Sequence, residues 1–433
     1  MKRKEILKEI ISGNQKMDLG FVSERDIRID TETGRIVSIT GIRRCGKTHL
    51  LMHTMKSLIE RKTDRSRLVY INFEDERLTT ETEDLDLVIR AYSELFPGNK
   101  IGDVYFFFDE IQNVAGWEKF IRRLYDSVSR NIFITGSNSA MLSSDIATSL
   151  RGRSNSTELF PLSFNEFLRF KGVASDSYTL GGKAAVINAF SEYIRWGGFP
   201  EALKTDQPQS LLQDYFYVML YRDIIERYGI SNVSALKYFL GRLVINTGRP
   251  VSINKLYNEL RSSGYRISKD SLYSFADYAE EAWFSFRMNR FDYSFVSREM
   301  SEKKQYIIDN GFLSSLTWQF SENRGTLLEN AVFLHLRRKY GKDIFFHRGK
   351  HECDFVRFDR DKPVDLIQVS YDISDRETMT REIKGLDSAA AYFGLDRGRI
   401  ITFDTEEDPV ITPGGVTAVI TPAWKWFLDE EKQ

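Results

Sequence analysis

The sequence predicts an α/β protein whose first third is a parallel sheet with helices on both faces, and three observations carry that reading. Short apolar runs, IVSIT, LVYINF, VYFFF and NIFIT, alternate with helical patterns between Arg35 and about Phe160, the signature of strands joined by crossover helices. Behind the first run, Leu50, Leu51, Met55, Leu58 and Ile59 recur at helical spacing, which sets a glycine-bearing turn between a strand and a helix. Third, a chain of 433 residues exceeds what one hydrophobic core supports, so further domains must follow the sheet.

Composition narrows the classes. At 42% hydrophobic and 28% charged residues, the chain is neither disordered nor fibrous. Lys+Arg 61 against Asp+Glu 62 gives a net charge of -1, so any contact with nucleic acid must come from a local basic face. Cys45 and Cys353 are the two cysteines; a disulfide framework is excluded, and a cytoplasmic location is expected. In the basic start, Ile6, Leu7, Ile10 and Ile11 follow helical spacing, unlike the continuous apolar core of a signal peptide. No apolar run is long enough to span a bilayer, and no membrane partner is expected.

Four regions follow one another: the parallel-sheet domain over 1–162, a helical lid over 163–232, a winged helix-turn-helix over 233–322 and a smaller α/β domain over 323–433. In the lid, Gly197-Gly198-Phe199-Pro200 is a turn that must stop one helix before another begins. SINKLYNEL and SKDSLYSFADYAEEAW each open on a Ser suited to cap a helix, and WFSFRMNRF and KKQYIID read as a strand pair. Helix, helix, hairpin is the order of a winged helix-turn-helix. Lys269, Arg261 and Arg266 cluster at the start of its second helix, yet Asp270, Asp277, Glu280 and Glu281 lie along it, and acids there repel phosphates. The last region runs from the helix TLLENAVFLHLRRKY through strands DIFFHR, CDFVRF, DLIQVSY and RIITF.

The chemistry is concentrated in Gly41, Ile42, Arg43, Arg44, Cys45, Gly46, Lys47 and Thr48, which satisfy the pattern G-x-x-x-x-G-K-[ST], with His49 completing the expected nucleotide-binding segment. A glycine-rich turn lets backbone N–H groups approach phosphates, and the helix behind it points its positive end at them. Lys47 would add charge at the β- and γ-phosphates of ATP, and the Thr48 hydroxyl would ligate Mg²⁺. The apolar strand Val104–Phe108 ends on Asp109 and Glu110. A carboxylate at the tip of a buried strand needs a partner; Asp109 would hold the metal while Glu110 acts as general base on water.

At these residues the chain resembles the AAA+ ATPases, specifically the prokaryotic family in which an AAA-type domain precedes a winged helix and a C-terminal PD-(D/E)xK nuclease-like domain. The blocks GIRRCGKT, FFFDEIQNVAGWEKFIRRLYD, FITGSNS, LRGRSNSTELFPLSFNEF and GGFPEAL carry the resemblance. It implies a sensor residue at Ser137 or Asn138, with Asn138 preferred, and an arginine finger at Arg151 or Arg153, hence a homo-oligomer. It also implies a nuclease-like site at Glu329, Asp354 and Gln368, with Ser370 where active nucleases carry lysine and with Lys350 or Lys384 as displaced substitutes. The expected function is ATP hydrolysis coupled to movement of the appended modules on DNA; the alternative is a slowly hydrolysing nucleotide-dependent switch or scaffold that binds a protein partner.

Overall fold

The computed structural model describes residues 2–20, 24–78, 82–142, 148–150, 152–175, 179–317 and 324–430. The chain divides into two compact units, Met1–Phe160 with Glu281–Trp283, and Pro161–Glu280 with Phe284–Gln433.

In the first unit β1 (Ile36–Thr40), β2 (Leu68–Asn72), β3 (Tyr105–Asp109), β4 (Ile132–Gly136) and β5 (Ser154–Glu158) form one sheet in the order β2-β3-β4-β1-β5. Every neighbouring pair is parallel. A parallel sheet is covered on both faces, which is why β1 and β4 are buried throughout and lack the alternation of a one-sided strand. Phe106 and Phe108 pack on one face with Val69, Ile71, Val88, Tyr92 and Ile121, whereas Phe107 stacks on Phe133 with ring centroids 4.7 Å apart. Full burial of one such side chain contributes about 1.5–3 kcal/mol, so β3 is among the strongest anchors of the core. The polar edge strand β5, SNSTE, is not legible as a strand from its residues; it exists because its backbone pairs with β1. At the opposite edge, helix α1 (Lys2–Gln15) shields β2: its Asn14 and Gln15 amides donate to the Tyr70 and Leu68 carbonyls at 2.8 and 2.6 Å. Helices α2 (Lys47–Glu60), α3 (Thr82–Leu95) and α4 (Trp117–Ser127) are the remaining long helices described in this unit.

The second unit begins with helices Phe164–Lys171, Leu180–Trp196 and Pro208–Val218. The first carries a capping box between Ser163 and Glu166, two orphan donors satisfied reciprocally. Helices Val233–Ile245, Ile253–Ser262 and Lys269–Glu281 lead into an antiparallel pair, β6 (Ser285–Asn289) and β7 (Lys303–Ile307), with a short helix Phe295–Met300 between the strands. Ser252 and Ser268 accept backbone N–H groups at the starts of their helices. Beyond helices Asn310–Leu316 and Arg324–Tyr340 lies a mixed sheet of β8 (Ile344–Arg348), β9 (Glu352–Asp359), β10 (Lys362–Val369), β11 (Arg397–Thr402), β12 (Glu407–Ile411) and β13 (Thr417–Pro422). Its order is β12-β13-β11-β10-β9-β8. The helix Arg376–Phe393 crosses between the parallel strands β10 and β11, and Cys353 is buried in the core beneath it.

The Gly197-Gly198 turn proves to be a packing joint as well as a helix stop. Gly197 has φ 72°, and a Cβ there would sit 1.8 Å from Asp309 Oδ1. The Gly198 N–H donates to Asp309 Oδ2 at 2.8 Å, and Asp309 Oδ1 caps the next helix by accepting from Gly311 N at 2.8 Å. Burial pushes the Asp309 carboxyl up to about 7 in spite of these donors. Neighbouring Asn310 donates to the Ile194 and Leu327 carbonyls, each at 2.9 Å. Gly197→Ala should therefore lower the thermal midpoint, by a stability loss of about 1–3 kcal/mol from strain and displaced packing. Gly13→Ala, in α1 with open space around it, should be neutral or gain about 0.5–1 kcal/mol. Parallel thermal melts check both directions.

Candidate nucleotide site

β4 lies between β1 and β3 in the sheet, so the polar residues following all three strands gather along one edge. The turn after β1 is held by steric necessity. A Cβ on Gly41 would lie 2.1 Å from the Leu159 carbonyl oxygen, and Gly46 has φ 103°, a conformation that side chains resist. Arg44 also adopts a left-handed conformation, φ 66°. Arg25, which sequence reasoning passed over, fixes the turn from outside: its guanidinium donates to the Cys45 carbonyl at 2.9 Å and the Phe160 carbonyl at 2.7 Å. Nothing in the pattern of residues before β1 marks that arginine; the contact exists only in three dimensions. Cys45 is buried, and burial pushes its thiol up. His49 is exposed on the first turn of α2, and Ile42 is buried. Arg43 pairs with Glu74.

Lys47 is 4% exposed, and its ammonium donates to the Gly41 and Ile42 carbonyls at 3.0 and 3.2 Å. It also lies 3.2 Å from Glu110 Oε1. Burial alone would lower its pKa, but the Glu110 and Asp109 carboxylates outweigh that and raise it. Glu110 shows the converse: burial opposes ionisation, yet Lys47 and Arg43 hold its carboxyl below the usual range. The ammonium and the carboxylate are thus both charged in a nearly dry site.

Asp109 is fully buried, and three hydroxyls converge on it. Thr48 Oγ1 donates to Oδ2 at 2.6 Å, Tyr70 donates to the same oxygen at 2.9 Å, and Thr135 donates to Oδ1. Burial and then the neighbouring Glu110 charge push the Asp109 carboxyl up. Glu110, at φ 53°, leaves the strand in a left-handed turn; its N–H donates to Thr135 Oγ1 at 2.9 Å. Its Oε2 accepts from Gln112 at 2.6 Å, and Gln112 also donates to Ser137 Oγ at 3.2 Å. Tyr70, Thr135 and Gln112 went unrecognised in the sequence because hydroxyls and amides at strand ends carry no motif. The Thr48 and Asp109 oxygens, adjacent and hard, form a donor pair suited to Mg²⁺, and the buried Lys47 behind a turn that admits no Cβ at Gly41 suits a phosphate chain. The residues therefore fit a Mg²⁺-nucleotide.

Asn138 is nearly buried, and its Oδ1 accepts from Ala140 N at 2.7 Å, a local turn. Arg153 lies elsewhere. Its carbonyl accepts from Ile36 N at the start of β1, while the Gly41–Thr48 turn follows that strand's end. Its guanidinium pairs with Asp126 at 3.1 Å and stacks over Tyr125. Arg151 falls outside the described residues.

In the second unit Glu329 and Asp354 come together, but the lysine beside them is neither Lys350 nor Lys384, both exposed. It is Lys304 of β7, 3.4 Å from Glu329 Oε1 and 3.1 Å from Asp354 Oδ1. Gln368 is spent on backbone and side-chain bonds: its oxygen accepts from Asp354 N at 2.7 Å, and its amide donates to Glu352 O at 3.3 Å and Glu382 Oε2 at 3.0 Å. Ser370 donates to the Asp372 carbonyl.

An AAA domain family matches residues 33–168, and a domain of unknown function matches residues 187–323. An uncharacterised protein of Methanocaldococcus jannaschii is 36% identical, the alignment covering 98% of this chain and 96% of the relative. A second, from Haemophilus influenzae, is 32% identical over 79% of this chain and 84% of its own length. Among solved structures, the Walker-type ATPase of Pyrococcus abyssi aligns with TM-score 0.40 at 16% identity, covering 69% of this chain and 99% of that one. The Aeropyrum pernix Orc1 protein, solved in complex with DNA, aligns at 0.30 and 12% identity, with 73% and 91% coverage. The chain thus belongs to one family with these uncharacterised Methanocaldococcus and Haemophilus proteins, and its first unit carries the AAA-type P-loop domain of an ATP-binding protein.

Proposed function

We propose that this chain is a Mg²⁺-dependent ATPase that couples nucleotide turnover to movement of its second unit on DNA. The observation that supports it most is the buried quartet Lys47, Thr48, Asp109 and Glu110, in which a cation for phosphates, a metal-ligand pair and a base for water lie within hydrogen-bonding reach. Mg²⁺, when bound, would neutralise charge that develops as the terminal phosphoryl leaves. Thr48 and Asp109 would hold it, directly or through water. Lys47 exchanges its carbonyl and Glu110 partners for phosphate oxygens. Glu110, released from that ion pair and still oriented by Gln112, accepts the proton of the attacking water. Asn138 lies after β4, between the two motifs, as a sensor of the terminal phosphate.

DNA is favoured as partner because Arg261, Arg266 and Lys269 are all exposed around the start of the helix Lys269–Glu281. Two acids of that helix, Asp277 and Glu280, are paired with Arg287, which lessens their repulsion of phosphates. We read residues 233–322 as a winged helix and 323–433 as a nuclease-like module that does not cut. A slow nucleotide-dependent switch bound to a protein partner is the second reading, and one observation favours it: the base Glu110 is ion-paired with Lys47 at 3.2 Å. Steady turnover stimulated by DNA distinguishes the motor; tight ATP retention with negligible turnover distinguishes the switch.

Lys47→Ala should abolish nucleotide binding, whereas Glu110→Gln should retain binding and lose hydrolysis, because the first contact exists in the ground state and the second only during attack. Wild-type turnover by Glu110→Gln would remove the general-base assignment. Thr135→Val keeps shape but deletes the hydroxyl joining Asp109 to the Glu110 backbone; kcat should fall about 10–100-fold, the usual loss when a support of metal ligands is removed. A fluorescent-nucleotide titration beside steady-state kinetics separates that from a change in affinity. Arg153, remote from its own chain's turn, would act only on a neighbouring subunit. Mixing Arg153→Ala with Lys47→Ala protein should then restore turnover, since each supplies what the other lacks; no rescue would leave Arg153 as the partner of Asp126 alone.

A further inference from the structure

PD-(D/E)xK-type sites gather carboxylates around a divalent cation, but here the centre of the cluster is already taken. Lys304 Nζ lies 2.9 Å from Glu352 Oε1, 3.1 Å from Asp354 Oδ1 and 3.4 Å from Glu329 Oε1, so one ammonium is ion-paired with three carboxylates, donating hydrogen bonds to Asp354 and Glu329. The side chain is 2% exposed, and the ammonium rests over the Phe346 ring at 5.6 Å. Other donors hold the same carboxylates. Asp354 Oδ2 accepts from Val369 N at 3.1 Å, and Tyr306 donates to Glu329 Oε1 at 2.8 Å. Glu352 Oε2 pairs with Arg348 at 2.9 Å. Glu329 Oε2 faces Gly248, just past the helix Val233–Ile245, where a Cβ would approach to 2.8 Å. Among the described residues, no group of His, Cys, Asp or Glu side chains is disposed to hold a metal ion. The residues do not fit the cation that the resemblance implies.

We propose that Lys304 is a built-in cation that stands in for metal. Carried on the β6–β7 hairpin, it locks that hairpin to the helix Arg324–Tyr340 and to β9, and it closes the cluster to divalent ions. A divalent ion bound by carboxylates at 2.0–2.6 Å would have to share the same few ångströms with the ammonium, and like charges at that separation exclude one another. The cluster becomes a metal site only when the Lys304 charge is withdrawn, by substitution or by movement of the hairpin. The inference does not depend on ATP hydrolysis.

The test is Mn²⁺ binding to nucleotide-free full-length protein, with free ion counted by electron paramagnetic resonance. Wild type and Asp354→Asn are compared first, then Lys304→Met and Lys304→Met/Asp354→Asn. Wild type should show no Asp354-dependent Mn²⁺. Lys304→Met should bind one additional Mn²⁺ per chain, at least about tenfold more tightly than wild type and lost in the double variant, since removing one member of a buried charge cluster leaves the others seeking a cation. Mn²⁺ should also raise the thermal midpoint of Lys304→Met and not of the double variant. An Asp354-dependent ion in wild type overturns the proposal, and so does a folded Lys304→Met that gains none. Where Lys304→Met does not fold, the wild-type and Asp354→Asn pair decides by itself: no Asp354-dependent ion supports the closed cluster, and one such ion overturns it.

Discussion

The first unit depends on one buried carboxylate. Asp109 is reached by hydroxyls from α2, β2 and β4 while it belongs to β3, so four elements are drawn to one point at the edge of the sheet. An isolated carboxylate there would be costly to bury. Three donors make it tolerable, and they also set the spacing between the turn that follows β1 and the acid pair at the end of β3. The strand order is the backbone counterpart: with β4 between β1 and β3, Thr135 reaches Asp109 from the neighbouring strand, and Glu110 N reaches Thr135 in return.

What could be read from the residues alone follows this division. Apolar strands that fill both faces of a parallel sheet announce themselves, and so does a glycine-rich turn ahead of an amphipathic helix, since both are consequences of local chain chemistry. Contacts between distant segments left no trace. Tyr70 and Thr135 read as ordinary strand residues, Arg25 reads as one charge among many, and β5 is too polar to suggest a strand until β1 is beside it. The end of the chain was read only as far as β11; β12, whose residues are exposed, lacks the periodicity that betrays a half-buried strand.

The second unit shows the same limit more sharply. The residues alone offer Lys350 and Lys384 as candidates for a displaced lysine, and nothing in the chain's order places either of them beside Asp354. Lys304 is fifty residues away, and it arrives through tertiary packing of the hairpin. A polar centre assembled this way joins parts of the chain that apolar packing alone would not hold in register, since an ammonium aligned with three carboxylates tolerates little sliding.

The two buried thiols have a practical meaning of their own. Cys45 belongs to the first unit and Cys353 to the second, and burial pushes both thiols up, away from the reactive thiolate. Each unit therefore carries its own silent reporter. Alkylation of either sulfur requires that its surroundings open, so the two labelling rates, resolved by peptide mass, read the opening free energies of the two units separately in one unmodified chain.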